Sequence, residues 1–155
     1  MDDRTHRYDT RLAWWHGSTA TGPRGYGRTH RVSAPPARAA LDLSANPHFR
    51  GDPDLMNPEQ LLVMAASSCQ LLSFLALAAA KRIDVVDYAD DAHGLMPEAE
   101  TPVRLTRIDL APVITVAGGT DHDLVRDLVH QAHELCYVAN SLSTEVVVQP
   151  TVTDA

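Results

Sequence analysis

Asn57-Pro58-Glu59-Gln60-Leu61-Leu62-Val63-Met64-Ala65-Ala66-Ser67-Ser68-Cys69 decides the fold, and the chain then runs on without Gly or Pro until Gly94. Asn57 is a favoured helix N-cap, Pro58 suits the first helical position, and Glu59 complements the positive end of the helix dipole. Together they predict one helix from Pro58 to about Arg82, roughly 36 Å long. It is apolar nearly all round, which predicts burial on most sides. A chain of 155 residues has trouble covering such a helix alone, so a homodimer is expected. From Leu61 to Ala80 only Ser67, Ser68, Gln70 and Ser73 interrupt the apolar run, which is near the length that spans a bilayer. A buried central helix explains the same pattern, and the strands on either side favour a soluble protein over a membrane protein.

Upstream, Arg11-Leu12-Ala13-Trp14-Trp15 and His30-Arg31-Val32 read as short strands around the turn Gly22-Pro23-Arg24-Gly25-Tyr26-Gly27, a β-hairpin. Ala39 to Leu43 adds a third short strand, and a loop follows from Ser44 to Met56. Downstream, strands are expected at Val85 to Ala89 and at Val103 to Val116, where apolar residues alternate. Gly118-Gly119-Thr120 forms a turn, with Thr120 a good N-cap. An amphipathic helix from Asp121 to about Cys136 follows, with Leu124, Leu128 and Ala132 on one stripe and Val125 and Val129 beside it. Val146-Val147-Val148 forms a last strand. No repeat or linker divides the chain. The expectation is a single α+β domain over residues 1–155, with antiparallel sheets, a long central buried helix and a second amphipathic helix.

Composition narrows the function. Apolar residues make up 45% and charged residues 21%, as in ordinary soluble proteins. A net charge of −7 opposes broad nucleic-acid binding, which needs a basic face. The polar start Met1-Asp2-Asp3-Arg4-Thr5-His6-Arg7 is unlike a secretory signal, so a cytoplasmic protein is expected. The two cysteines, Cys69 and Cys136, are too few for a disulfide-stapled scaffold or an all-cysteine zinc cage. They are enough for one redox pair.

Cys69 reads either as a small hydrophobe in a buried helix or as a nucleophile, which acts as the thiolate and is favoured by a nearby cation. Glu59 lies ten positions earlier, about 15 Å along the helix and about 80° round it. It is therefore no direct base for Cys69, but it could hold a cationic side chain that reaches the sulfur. Cys136 closes the second helix before Tyr137-Val138-Ala139-Asn140-Ser141, where a chain reversal could carry it toward another site.

Asn57-Pro58-Glu59-Gln60-Leu61-Leu62, Ser68-Cys69, the Ala-rich run to Lys81-Arg82-Ile83, and the tail His133-Glu134-Leu135-Cys136-Tyr137-Val138-Ala139-Asn140-Ser141-Leu142 closely resemble the OsmC/Ohr family of osmotically inducible and organic hydroperoxide resistance proteins. The resemblance covers about residues 13 to 150. It implies an intertwined homodimer with active sites at the subunit interface and a thiol-dependent peroxidase acting on organic hydroperoxides. By that likeness Cys69 is the peroxidatic cysteine, Cys136 the resolving one, and Glu59 the carboxylate that orients a catalytic Arg. Arg28 is the favoured Arg, with Arg24 and Arg50 as alternatives; His48 stands where one branch of the family carries its Arg before a Phe. A dithiol reductant, such as a lipoylated protein, is implied, and no cofactor. The apolar residues Met64, Leu72 and Phe74 near Cys69 point to a greasy peroxide.

Two rival readings stand beside this one. His130, His133 and Cys136 recur at three-residue spacing and form a possible metal face, although ordinary surface histidines explain the spacing as well. Alternatively, the chain is a catalytically slow dimer that binds a small apolar ligand or partner at its interface. Trp14, Trp15, Tyr88 and Tyr137 are candidates either for a pocket lining or for core packing.

Overall fold

β1 (Arg11–Ala13), β2 (His30–Ser33) and β3 (Ala40–Leu43) pair antiparallel in that order, so the expected hairpin and third strand are present. The structure, a computed structural model, describes residues 5–15 and 17–155; residues 1–4 of the polar start lie outside them. Leu12 faces Val32, and Val32 faces Leu41, which gives the sheet an apolar row. The β1–β2 connection is closed by Trp14, whose indole N–H donates to Gly27 O at 2.8 Å. Gly22, at φ 80°, takes a left-handed conformation that side chains resist. The chain divides into two units, Met1–Pro58 and Glu59–Ala155.

The second unit holds nearly all of α1 (Pro58–Ala80), followed by β4 (Val85–Asp90), β5 (His93–Leu95), β6 (Arg107–Leu110), β7 (Pro112–Val116), α2 (His122–Glu134), α3 (Tyr137–Asn140), β8 (Glu145–Val148) and β9 (Thr151–Asp154). α1 begins where the N-cap signals place it and ends two residues before the expected Arg82. There Arg82 turns left-handed, at φ 57°, and Ile83 N–H returns to Ala78 O. α2 is capped by Asp121, which accepts from the N–H groups of Asp123 and Leu124, and not by Thr120. Thr120 instead donates its hydroxyl to Ala117 O.

β4-β7-β9 and β5-β6-β8 form two three-stranded sheets, and one register runs through both. Asp90 faces Pro112 and His93 faces Asp109; Leu110 faces Val148 and Val113 faces Thr151. They are the halves of three longer strands, bent at one level. Pro112 and Pro150 lack the N–H that a continuous ladder needs. The strand expected over 103–116 is thereby split and begins only at Arg107. The antiparallel expectation holds for β4 with β7 and β5 with β6. It does not hold for β8 and β9, which pair parallel because α2 and α3 carry the chain back across the sheet.

α1 buries one stripe, Ala66, Gln70, Phe74 and Ala78. That stripe belongs to the core with Ile108, Leu110, Ile114 and Val116 from the sheet and Val125, Leu128, Val129 and Ala132 from α2. Leu124 falls outside the buried face of α2. The burial of α1 on most sides, expected from its composition, is absent within one chain: Leu72 is 64% exposed, and Met64 and Leu75 are open too. By length and composition α1 is apolar enough to cross a membrane, with this stripe packed in the core.

Candidate active site

Cys69 sits at the middle of α1. Cys136 sits in the break between α2 and α3, where it takes an extended conformation and serves as the N-cap residue of α3. Its carbonyl accepts from Asn140 N–H, and that bond sets the short helix going. The first amides of α3 have no carbonyl behind them, and one of them turns to sulfur instead. Val138 N–H donates to Cys69 Sγ at 3.5 Å. The Cys136 side chain makes no capping hydrogen bond of its own; its sulfur lies close enough to Cys69 and to the N–H groups of Ala139 and Val138 to feel all three.

The two sulfurs differ in setting. Cys136 is 1% exposed, whereas Cys69 is half-buried, and both are free thiols. Burial pushes the Cys136 thiol above its ordinary pKa; the neighbouring Cys69 adds to this, and the two amides oppose it. Cys69 opens into a cavity of about 310 Å³ walled by Leu72, Ala76, Leu77, Leu135 and Tyr137. Apolar walls around one half-exposed sulfur fit a substrate with a hydrocarbon body. Of the three apolar residues expected near Cys69, only Leu72 lines this cavity. Phe74 is in the core, and Met64 borders a different cavity on the other flank of α1. Tyr137 is the one aromatic candidate at the cavity's rim. Tyr88 packs beside Phe74, while Trp14 lines an aromatic recess in the first unit with Tyr26 and His30.

Gln70, next to Cys69, is fully buried and donates from Nε2 to Val129 O at 2.9 Å, which ties α1 to α2. The sequence displays Gln70 as a polar break in an apolar helix; its partner lies 59 positions away and leaves no local trace. Glu59 Oε2 is buried and has no hydrogen-bond partner among the described residues. Arg28 donates to Tyr26 O and Pro23 O, both at 3.0 Å, and its guanidinium lies 4.2 Å from the Tyr26 ring. Arg24 is exposed in the same loop, and Arg50 ends a 3-10 turn at Pro47–Phe49. Among the described residues no three His, Cys, Asp or Glu side chains group as a metal site, so His130, His133 and Cys136 do not converge.

The family model described as OsmC-like protein matches residues 51–151, which takes in both cysteines. The chain belongs to the OsmC family. An OsmC-like protein of unknown function from Vibrio cholerae shares 27% identity with it, at a TM-score of 0.84, over 95% of this chain and all of that one. An organic hydroperoxide resistance protein from Elizabethkingia anophelis superposes at a TM-score of 0.73 with 17% identity, over 99% of each chain. OhrB of Bacillus subtilis, also an organic hydroperoxide resistance protein, superposes at 0.61 with 16% identity, over 96% of this chain and 98% of that one. At these lower identities the likeness is one of fold. No match is found among curated proteins.

Proposed function

We propose that this OsmC-family chain is a cytoplasmic, thiol-dependent peroxidase that reduces organic hydroperoxides and works as a homodimer with its sites at the subunit interface. The observation that carries the reading is the meeting of the Cys69 and Cys136 thiols at the start of α3, under an apolar cavity that only Cys69 reaches. The Cys69 sulfur donates an electron pair to the outer peroxide oxygen. The O–O bond breaks, and the alkoxide takes a proton and leaves as the alcohol. Cys69 is then a sulfenic acid. Burial keeps Cys136 protonated until its sulfur attacks the sulfenic sulfur; the S–S bond forms, and the sulfenic hydroxyl leaves with the thiol proton as water. An external dithiol, such as a lipoylated protein, reduces the disulfide and is itself oxidised. The solved relatives named as organic hydroperoxide resistance proteins support the substrate class. The unpartnered Glu59 oxygen supports a role in holding a cation, for which Arg28 is the proposed source ahead of Arg24 and Arg50. The open face of α1 at Leu72 and Leu75 supports the homodimer.

Consumption of cumene hydroperoxide with dihydrolipoamide as reductant tests the reading. Turnover is expected to exceed that with hydrogen peroxide and to vanish in Cys69→Ser. Cys136→Ser is expected to stop as a Cys69 sulfenic acid that dimedone traps, and alanine at Arg28 is expected to slow the first step more than alanine at Arg24 or Arg50. Turnover indifferent to Cys69 refutes the peroxidase. No turnover at all favours an OsmC-like dimer that binds a small apolar ligand.

A further inference from the structure

On the flank of α1 away from the Cys69 cavity lies a second cavity of about 430 Å³, within the range of small-molecule sites of roughly 300–1,000 Å³. Val63, Met64, Leu71 and Ala92 give it apolar walls, and Ser67, Tyr88 and Asp90 give it one polar end. Asp90 stands at the bend of the sheet. One carboxylate oxygen accepts from Ala111 N–H at 2.8 Å, where the ladder breaks ahead of Pro112, and the other accepts from the Ser67 hydroxyl. Both donors are neutral, and among the described residues no cation pairs with Asp90.

Tyr88 presents a second unmet demand. Its hydroxyl is buried without a hydrogen-bond partner, a state that native proteins rarely leave unfilled. Burial, and then the nearby Asp90 charge, push its pKa upward, so it stays a neutral phenol with a lone pair to offer. A carboxylate has room for about four hydrogen bonds, and an ammonium offers three donors. One ammonium group therefore supplies the counter-charge that Asp90 lacks and a donor for the Tyr88 oxygen, while an alkyl chain covers Val63 and Leu71. A neutral alcohol meets only the second need. An anion meets neither and is repelled by Asp90.

We propose that the cavity between α1 and β4 is a binding site for small alkyl primary amines, with Asp90 and Tyr88 receiving the ammonium. It requires no chemistry at Cys69. Hexylammonium chloride, 1-hexanol and sodium hexanoate, titrated into the isotope-labelled protein at neutral pH, carry the same chain with three head groups. Amide shifts are expected at Tyr88 to Ala92, with hexylammonium binding about tenfold or more tightly than hexanol and hexanoate weakest. Asp90→Asn keeps the side-chain shape and the contacts to Ser67 and Ala111, and is expected to weaken hexylammonium about tenfold while leaving hexanol unchanged. Tyr88→Phe is expected to weaken both. Equal affinity for the three head groups, an amine affinity unmoved by Asp90→Asn, shifts confined to Leu135 to Tyr137, or no binding overturns the proposal. The head-group comparison needs no variant, so a poorly folded Asp90→Asn cannot hide the answer.

Discussion

Replacing Gln70 with Met separates the stability of the core from the alignment of the two cysteines. The Gln70 side chain is fully buried; Nε2 donates to Val129 O at 2.9 Å, while Oε1 is buried with no partner. Losing the donated bond costs about 1 kcal/mol, and Val129 O keeps its place in the helical ladder of α2. Removing the stranded acceptor returns about 1–3 kcal/mol. Met is close in volume and adaptable in shape, so repacking costs less than about 1.5 kcal/mol. With the returned penalty near the middle of its range, the balance lies between near-neutral and a gain of about 1 kcal/mol, which raises Tm by at most about 2–4 °C for a chain of this size. Calorimetry and urea unfolding measure it. Destabilisation by more than about 1 kcal/mol refutes the reasoning, since Oε1 would then have a partner that its surroundings do not show. The same variant is expected to close the Cys69–Cys136 disulfide more slowly after one equivalent of peroxide, because α2 is no longer tied to α1 beside Cys69.

Alkaline pH probes the other cysteine. Cys136 is raised above its ordinary value of 9.0, so the folded chain holds that proton more tightly than the unfolded chain does. Its contribution to stability is thus fully present below about pH 9 and is lost as pH rises through the folded value. Urea unfolding is expected to show stability falling as pH rises above about pH 9, with a shallower fall in Cys136→Ala; an unchanged slope counts against burial as the cause. At the start of α2, Asp121→Ala leaves the Asp123 and Leu124 amides without their acceptor and is expected to cost about 1 kcal/mol, read as a Tm drop of about 2–4 °C. A change within error would mean that water replaces the cap.

The start of α1 was legible because Asn57, Pro58 and Glu59 each act within one turn of chain, and such local rules need no knowledge of the fold. The start of α2 was legible to within one residue, since Thr120 and Asp121 both qualify as caps and only the turn at Gly119 chooses between them. β5 and β9 leave little trace in the sequence: His93–Leu95 is three residues long, and Thr151–Asp154 offers one apolar side chain for a period to show. The parallel pairing of β8 and β9 depends on which strands the chain joins after α2 and α3 carry it back, and the periodicity of α2 does not carry that information. The open face of α1 was hidden for a related reason. Apolar composition reports that a surface seeks cover, and Leu72 seeks it whether the cover comes from its own chain or from another copy.

The candidate site follows the same division. α1 has few polar residues in its apolar run, and three positions at and around Cys69 are each tied to a different element. Ser67 is bound to Asp90 on β4, Cys69 accepts from Val138 on α3, and Gln70 reaches Val129 on α2. A polar group that enters a core must find a partner there, so two interruptions of the apolar run, Ser67 and Gln70, each signal a tie while concealing its far end. Sequence likeness to the OsmC family implies Cys136, two residues before Val138, as the companion of Cys69, because a family keeps its motifs together even where 67 positions separate them in the chain. It was silent on Asp90 and Val129, which carry no motif. These two contacts fix the rotation of α1 from both sides of Cys69. The sulfur points at the start of α3 because its neighbours on the helix are already committed elsewhere, and loosening either tie should disturb the meeting of the thiols before it disturbs the fold.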